Sequence, residues 1–78
     1  MQDKRLETVE FLVKKLVRDA QAVEISAVPS GQGTELLIKV APEDVSLVIG
    51  KRGSTINALR ALVSAMPGPE GITIEVSE

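Results

Sequence analysis

The sequence contains no cysteine, histidine, tryptophan or tyrosine, and Phe11 is its only aromatic residue. Without cysteine and histidine, the chain lacks thiol redox chemistry, imidazole acid–base catalysis and the usual ligands of structural zinc. The shortage of aromatic side chains nearly excludes recognition of bases by stacking on an aromatic platform. The remaining carboxylates, lysines and hydroxyls show no catalytic arrangement, so we expect no enzymatic activity, no cofactor and no metal.

The length and composition are those of one small globular domain. We expect a single domain over residues 1–78, with its core over about 5–77. Apolar residues make up 44% of the chain and charged residues 26%. This apolar content is higher than that of disordered chains. No apolar run could span a bilayer and the first residues lack a secretory signal, so we expect a cytoplasmic protein without a membrane partner. Because the formal net charge is −2, any anion site must be a local cluster.

Apolar residues recur at helical spacing in three segments and alternate with polar residues in three others. The predicted helices cover residues 5–20, 42–49 and 54–66, and the predicted strands cover residues 22–28, 34–40 and 72–76. The order is therefore helix, strand, strand, helix, helix, strand. Since each strand offers one apolar face and each helix one stripe, we expect an α+β fold with three helices on one face of a three-stranded sheet.

A four-residue loop with glycine at each end joins the second and third helices; we call it the 50–53 loop, Gly50-Lys51-Arg52-Gly53. Glycine permits positive φ and the close approach of another backbone. The next helix, with Ser54 or Thr55 as its expected cap, directs free N–H groups and its positive dipole end towards the loop. With two basic residues between the glycines, phosphate is the expected occupant. The alternative is a tight turn whose charges are merely solvated.

The segment around this loop resembles the core of KH domains, whose hallmark is I-G-x-x-G between two helices. The matching residues run from Val45 to Arg60, with Ile49-Gly50-Lys51-Arg52-Gly53 at their centre. The order of elements resembles the type II, prokaryotic KH arrangement. Nearly the whole chain is similar to the KhpA (also YlqC) family of small stand-alone bacterial KH proteins. The departures are the Pro-Gly-Pro turn before the last strand and the acidic overall balance.

The resemblance implies a module that binds single-stranded RNA, with a role in post-transcriptional control or as an RNA chaperone. In KH domains the GxxG loop clamps the backbone of about four nucleotides. The bases would lie in a groove between the paired helices and the exposed edge of the 34–40 strand. Single-stranded DNA stays an open alternative, because a backbone clamp does not inspect the 2′-hydroxyl. The residues expected to contact RNA are Ile49, Gly50, Lys51, Arg52, Gly53, Ser54, Asn57, Arg60 and Lys39.

Several of these residues also have a purely structural interpretation. For Ile49 the position of a core residue beside a tight turn is favoured over a ligand contact, and Asn57 can equally be a solvated surface residue. Phe11 falls roughly opposite the apolar stripe of the first helix, either as a partly covered surface aromatic or as a contact with a second subunit. The alternative function is therefore a protein-interaction scaffold, which forms a homodimer or docks another KH-domain protein through its first helix.

Overall fold

The computed structural model describes residues 4–31, 33–68 and 71–77. Its helices and strands follow the predicted order, and short 3-10 turns lie at Ala20–Ala22, Pro42–Asp44 and Lys51–Gly53. The principal elements are α1 (Lys4–Leu16), β1 (Glu24–Ser30), β2 (Gly33–Lys39), α2 (Val45–Ile49), α3 (Ser54–Ala65) and β3 (Ile72–Val76). Within the described ranges, no helix combines the length and the apolar character needed to cross a bilayer.

The three strands form one mixed sheet in the order β1-β2-β3. β1 and β2 are antiparallel, with Ile25 opposite Ile38, and β2 and β3 are parallel, with Leu36 opposite Ile74. β2 is therefore the central strand, and both of its edges are paired with neighbouring strands. The prediction that the edge of the 34–40 strand faces the bases is wrong, because alternation along a strand does not reveal its neighbours. The edge strand packed against α2 and α3 is β3.

The helices cover one face of the sheet and form a single hydrophobic core with it. Side chains of every principal helix and of both β2 and β3 are almost fully buried, and burying each one stabilises the fold by about 1.5–3 kcal/mol. The buried apolar residues are Val9, Val13, Val23, Leu36, Ile38, Val40, Val48, Ile56, Leu59, Val63 and Ile74. The predicted α+β architecture, with three helices on one face of a three-stranded sheet, is confirmed.

The first helix ends at Leu16, earlier than its apolar pattern predicts. The reason is Asp44, whose carboxylate Oδ2 accepts hydrogen bonds from the backbone N–H groups of Arg18 at 3.1 Å and Asp19 at 3.0 Å. These bonds divert the backbone from the helical path after α1. Because Asp44 is fully buried and immediately precedes α2, its carboxylate also ties the end of α1 to the helix that leads into the 50–53 loop.

Candidate nucleic-acid interface

The 50–53 loop turns the chain sharply between α2 and α3. Gly50 has φ 78° and ψ 171°, a conformation that is essentially restricted to glycine. Arg52 (φ 57°, ψ 27°) and Gly53 (φ 76°, ψ 14°) both lie in the left-handed region. Holding Arg52 there costs about 1–2 kcal/mol, because its Cβ approaches the following carbonyl oxygen. The result is a compact turn from which the side chains of Lys51 and Arg52 extend into solvent.

Gly50 is required because Thr55, in the first turn of α3, lies directly against its α-carbon. A Cβ at Gly50 would collide with Oγ1 of Thr55 and would lie 2.7 Å from both the Cβ and the backbone nitrogen of that residue. At Gly53, by contrast, an added Cβ would meet the side-chain nitrogen of Asn57 at an ordinary 3.6 Å. Gly50 thus lets the loop fold onto α3, whereas glycine is favoured at position 53 because the backbone there has a positive φ.

The N-terminus of α3 lies beside this loop and is not capped by a side chain. Its N-cap is Gly53, and the helix begins at Ser54. The prediction that Ser54 or Thr55 caps the helix is wrong, because both residues are already helical. Glycine has no side chain to cap this end, and the backbone N–H of Ser54 instead donates to the carbonyl oxygen of Lys51 in the loop. The positive end of the α3 dipole still lies beside the loop. The exposed Ser54 and the two basic side chains of the loop adjoin this end of the helix.

Two predicted site residues continue along α3 from the loop towards β3. Asn57 lies one turn beyond Gly53, and its Oδ1 accepts a hydrogen bond from Nη1 of Arg60 at 3.1 Å. Nη2 of Arg60 donates to the carbonyl oxygen of Ile74 in β3 at 3.2 Å. The structure therefore brings Asn57 and Arg60 onto one line with the loop. Arg60, expected to extend the basic patch, also bridges α3 to the strand beside it.

The outer edge of β3 presents backbone groups to the space next to α3. Thr34 N–H donates to Gly71 O at 2.9 Å, and Ser77 N–H donates to Ile38 O at 2.8 Å. The backbone N–H and C=O groups of the odd-numbered residues of 71–77 therefore face β2. The alternate residues of β3 direct their N–H and C=O groups away from the sheet; they are Ile72, Ile74 and Val76. Sequence reasoning did not predict this edge, because the position of β3 depends on long-range pairing.

The other predicted contacts lie in different places. Ile49 is half-buried and packs against the core, as the structural interpretation of that residue requires. Lys39 is exposed, but its neighbours Ile38 and Val40 are buried, so alternation places it on the sheet face turned away from the helices. Lys39 is opposite Glu24 in the sheet register and is not brought to the 50–53 loop.

Phe11 lies on α1 and is 60% exposed. Nζ of Lys15, one turn further on, is 5.3 Å from the centre of its ring. Beside them, α1 and α3 enclose an apolar cleft of about 270 Å³, whose walls include Leu12, Leu16 and Leu62. This surface is distinct from the outer edge of β3, although both border α3.

The order of elements and the GxxG loop between adjacent helices define a type II KH domain. The model of the family described as KhpA/KhpB, KH domain, matches residues 6–77, and the chain belongs to this family. It is 42% identical over 59 residues to RNA-binding protein KhpA of Caldanaerobacter subterraneus subsp. tengcongensis, covering 76% of this chain and 79% of the relative. No solved structure gives a significant match.

Two further relatives match over most of their length. RNA-binding protein KhpA of Mycobacterium tuberculosis is 35% identical over 71 residues, which is 91% of this chain and 88% of that protein. RNA-binding protein KhpA of Streptomyces coelicolor is 34% identical over 70 residues, which is 90% of this chain and 87% of that protein. The chain is thus similar to these two relatives over most of their length, 88% and 87% respectively.

The two glycines of the loop should differ in how well they tolerate alanine. Gly50→Ala places a Cβ against Thr55 in a backbone region that only glycine adopts readily, so we expect a loss of about 3 kcal/mol in the free energy of unfolding. Gly53→Ala meets only the left-handed penalty and should lose about 1 kcal/mol. Urea denaturation followed by circular dichroism measures both, and equal losses would contradict the proposed role of the Gly50–Thr55 contact.

Proposed function

We propose that this chain binds single-stranded RNA by holding its backbone at the 50–53 loop. The observation that carries the proposal is the coincidence of two exposed cations with the uncapped N-terminus of α3, in a chain whose formal net charge is −2. A phosphate there would meet the positive end of α3 and two full positive charges together. The relatives named RNA-binding protein KhpA support RNA as the ligand. Post-transcriptional control is the cellular role that fits such a module.

The bases would enter the groove between α3 and the outer edge of β3. Asn57 and Arg60 would line one side of this groove, and the outward backbone groups of β3, one of which accepts from Arg60, would line the other. Ile49 packs against the core beside the loop, and the exposed part of its side chain would add apolar surface for a base. Because aromatic side chains are absent from these walls, bases would be distinguished by hydrogen bonds to their edges rather than by stacking.

Binding by one such domain should be weak and only moderately sensitive to salt. The loop offers two cations and one helix end, enough to neutralise about two or three phosphates, which corresponds to a slope of log K against log salt of about −1.4 to −2.1 for a single strand. Useful affinity would then require a second domain that raises the effective concentration of the first.

Reversal of the loop charges should abolish RNA binding without unfolding the domain. In the double variant Lys51→Asp, Arg52→Asp the phosphate meets two negative charges, and aspartate tolerates the left-handed backbone at position 52. We expect no binding of a short mixed-sequence RNA in fluorescence anisotropy, while circular dichroism shows an unchanged thermal transition.

The matched control for this variant reverses two lysines of α1, Lys14→Asp with Lys15→Asp, and changes the net charge by the same amount. Both lysines are exposed on α1, where Lys14 pairs with Glu10 and Lys15 borders the cleft between α1 and α3, and neither belongs to the loop. The control should retain most of the affinity, since only its long-range field is altered. Equal losses in the two variants would mean that overall charge, and not the loop, governs binding.

A second candidate function is the docking of another KH domain through α1. The observation that favours it is the exposed ring of Phe11 beside the apolar cleft of Leu12, Leu16 and Leu62. An apolar cleft beside an exposed aromatic ring is a surface that a partner can cover. Pairing with a second copy or with a different KH protein would also supply the second RNA site that a weak single domain needs.

Docking through α1 predicts that Phe11→Ala lowers the mass measured by light scattering while the affinity for RNA per domain stays unchanged. The control is Leu47→Ala, which removes an exposed apolar side chain from α2 instead and should leave the mass unaltered. If Phe11→Ala has the same mass as the unmodified chain over a wide range of concentrations, α1 is not the docking surface.

A further inference from the structure

We infer that Asp44, which lies outside the loop, is a positioning residue for the RNA site, because its carboxylate holds α2 in the direction that places the 50–53 loop. The inference rests on the proposed RNA-binding function and concerns the same loop. Asp44 is fully buried and immediately precedes α2. Its Oδ2 accepts hydrogen bonds from the N–H groups of Arg18 at 3.1 Å and Asp19 at 3.0 Å, just beyond the end of α1.

The carboxylate of Asp44 contributes more to position than to stability. Within the described residues its second oxygen, Oδ1, has no hydrogen-bond partner, so burial of the group carries a desolvation cost. Replacement of a buried ionic group by an apolar one is often neutral or stabilising. Arg18 and Asp19 lie on the surface, so water can reach their N–H groups once the carboxylate is removed. Loss of the carboxylate should therefore free α2 without unfolding the domain.

The helix α2 depends on such a contact because it is too short to define its own direction. It contains five residues, Val45–Ile49, far fewer than a helix needs to be stable alone. Val48 is the one buried residue of α2 and fixes the helix to the core at a single point. Asp44 lies about one turn before Val48 and supplies a second point. Two points on one side of the helix define the direction of its axis.

Backbone hydrogen bonds transmit the direction of α2 to the loop. Gly50 N–H donates to Ser46 O at 2.8 Å, and Gly53 N–H donates to Gly50 O at 3.1 Å. A tilt of α2 would also separate Gly50 from Thr55, against which its α-carbon lies. The two basic side chains of the loop extend from between these glycines, so a change in the direction of α2 changes where both charges point.

The first measurement compares the RNA affinity of Asp44→Ala with that of Val63→Ala by fluorescence anisotropy, where circular dichroism shows both variants to be folded. Val63 is buried near the far end of α3, about 14 Å along the helix from its start, so its truncation destabilises the core far from the loop. We expect Asp44→Ala to bind a short mixed-sequence RNA about tenfold more weakly, because the competent loop geometry is then populated about one-tenth of the time. Val63→Ala should stay within about twofold of the unmodified chain.

The sign of the effect excludes a simple charge explanation. Asp44→Ala removes a negative charge from a chain whose formal net charge is −2. The change in the overall field would by itself strengthen the attraction of RNA phosphates. Weaker binding by Asp44→Ala therefore reports a displaced loop.

Amide hydrogen exchange gives a readout that a purely structural role would not move. In Asp44→Ala the N–H groups of Gly50 and Gly53 should exchange about tenfold faster relative to that of Leu59, which is buried in the middle of α3. Val63→Ala should show the opposite pattern, with faster exchange at Leu59 and unchanged exchange at the two glycines.

Asp44→Asn keeps an acceptor for the two N–H groups without the charge, so it should retain both the RNA affinity and the protection of the loop amides. If Asp44→Ala does not fold, Asp44→Ser provides the same test, since its hydroxyl is one bond shorter and cannot reach both donors. Unchanged RNA affinity in the folded alanine or serine variant, or equal acceleration of exchange at Gly50, Gly53 and Leu59, would overturn the inference.

The outcomes separate this inference from the proposed function beneath it. If charge reversal at Lys51 and Arg52 abolishes binding but Asp44→Ala binds as tightly as the unmodified chain, RNA binding at the loop stands and the positioning role is lost. If the unmodified chain binds no RNA at low salt, the proposed function fails, and exchange at Gly50 and Gly53 still decides whether Asp44 holds the loop.

Discussion

The close contact between Gly50 and Thr55 is the constraint on which the proposed site depends. Without a Cβ at position 50, the loop can fold directly onto the first turn of α3, which keeps two basic side chains beside the positive end of that helix. The buried carboxylate of Asp44 complements this contact at the other end of α2, because it ties that short helix to the end of α1. The short helix α2 is thus fixed at both ends, and this fixes the position of the loop that follows it.

The chemical groups of the proposed groove between α3 and β3 change with distance from the loop. Near the loop the groups are cationic and suit any phosphate, so in the proposed complex this end would contribute affinity without selecting a sequence. Further along α3, Arg60 is held by protein acceptors and presents directed N–H groups beside the edge of β3. In a chain with a formal charge of −2, attraction is local to the loop, and selection would depend on directed hydrogen bonds near Ile74.

Sequence reasoning predicted the features that depend on neighbouring residues. The periodicities gave the order of helices and strands, and the 50–53 loop was evident from its two glycines and the helices around it. The cap of α3 was missed for a local reason, because Ser54 and Thr55 are already helical, but two other failures depend on distant partners. The end of α1 is set by Asp44, which is 26 residues from Arg18, and the central position of β2 follows from pairing with both neighbouring strands. Helical spacing predicted that Arg60 lies in line with the loop. Its hydrogen bond to Ile74 could not be predicted, because the position of β3 beside α3 depends on the whole fold.

The most direct test of the account is an NMR titration of the ¹⁵N-labelled chain with a short single-stranded RNA at low salt. The account predicts that the amides of residues 50–55 and the outward amides of β3, above all Ile74, shift together and saturate at one RNA concentration. Shifts confined to α1 around Phe11, or no shifts at millimolar RNA, would contradict binding in the groove between α3 and β3.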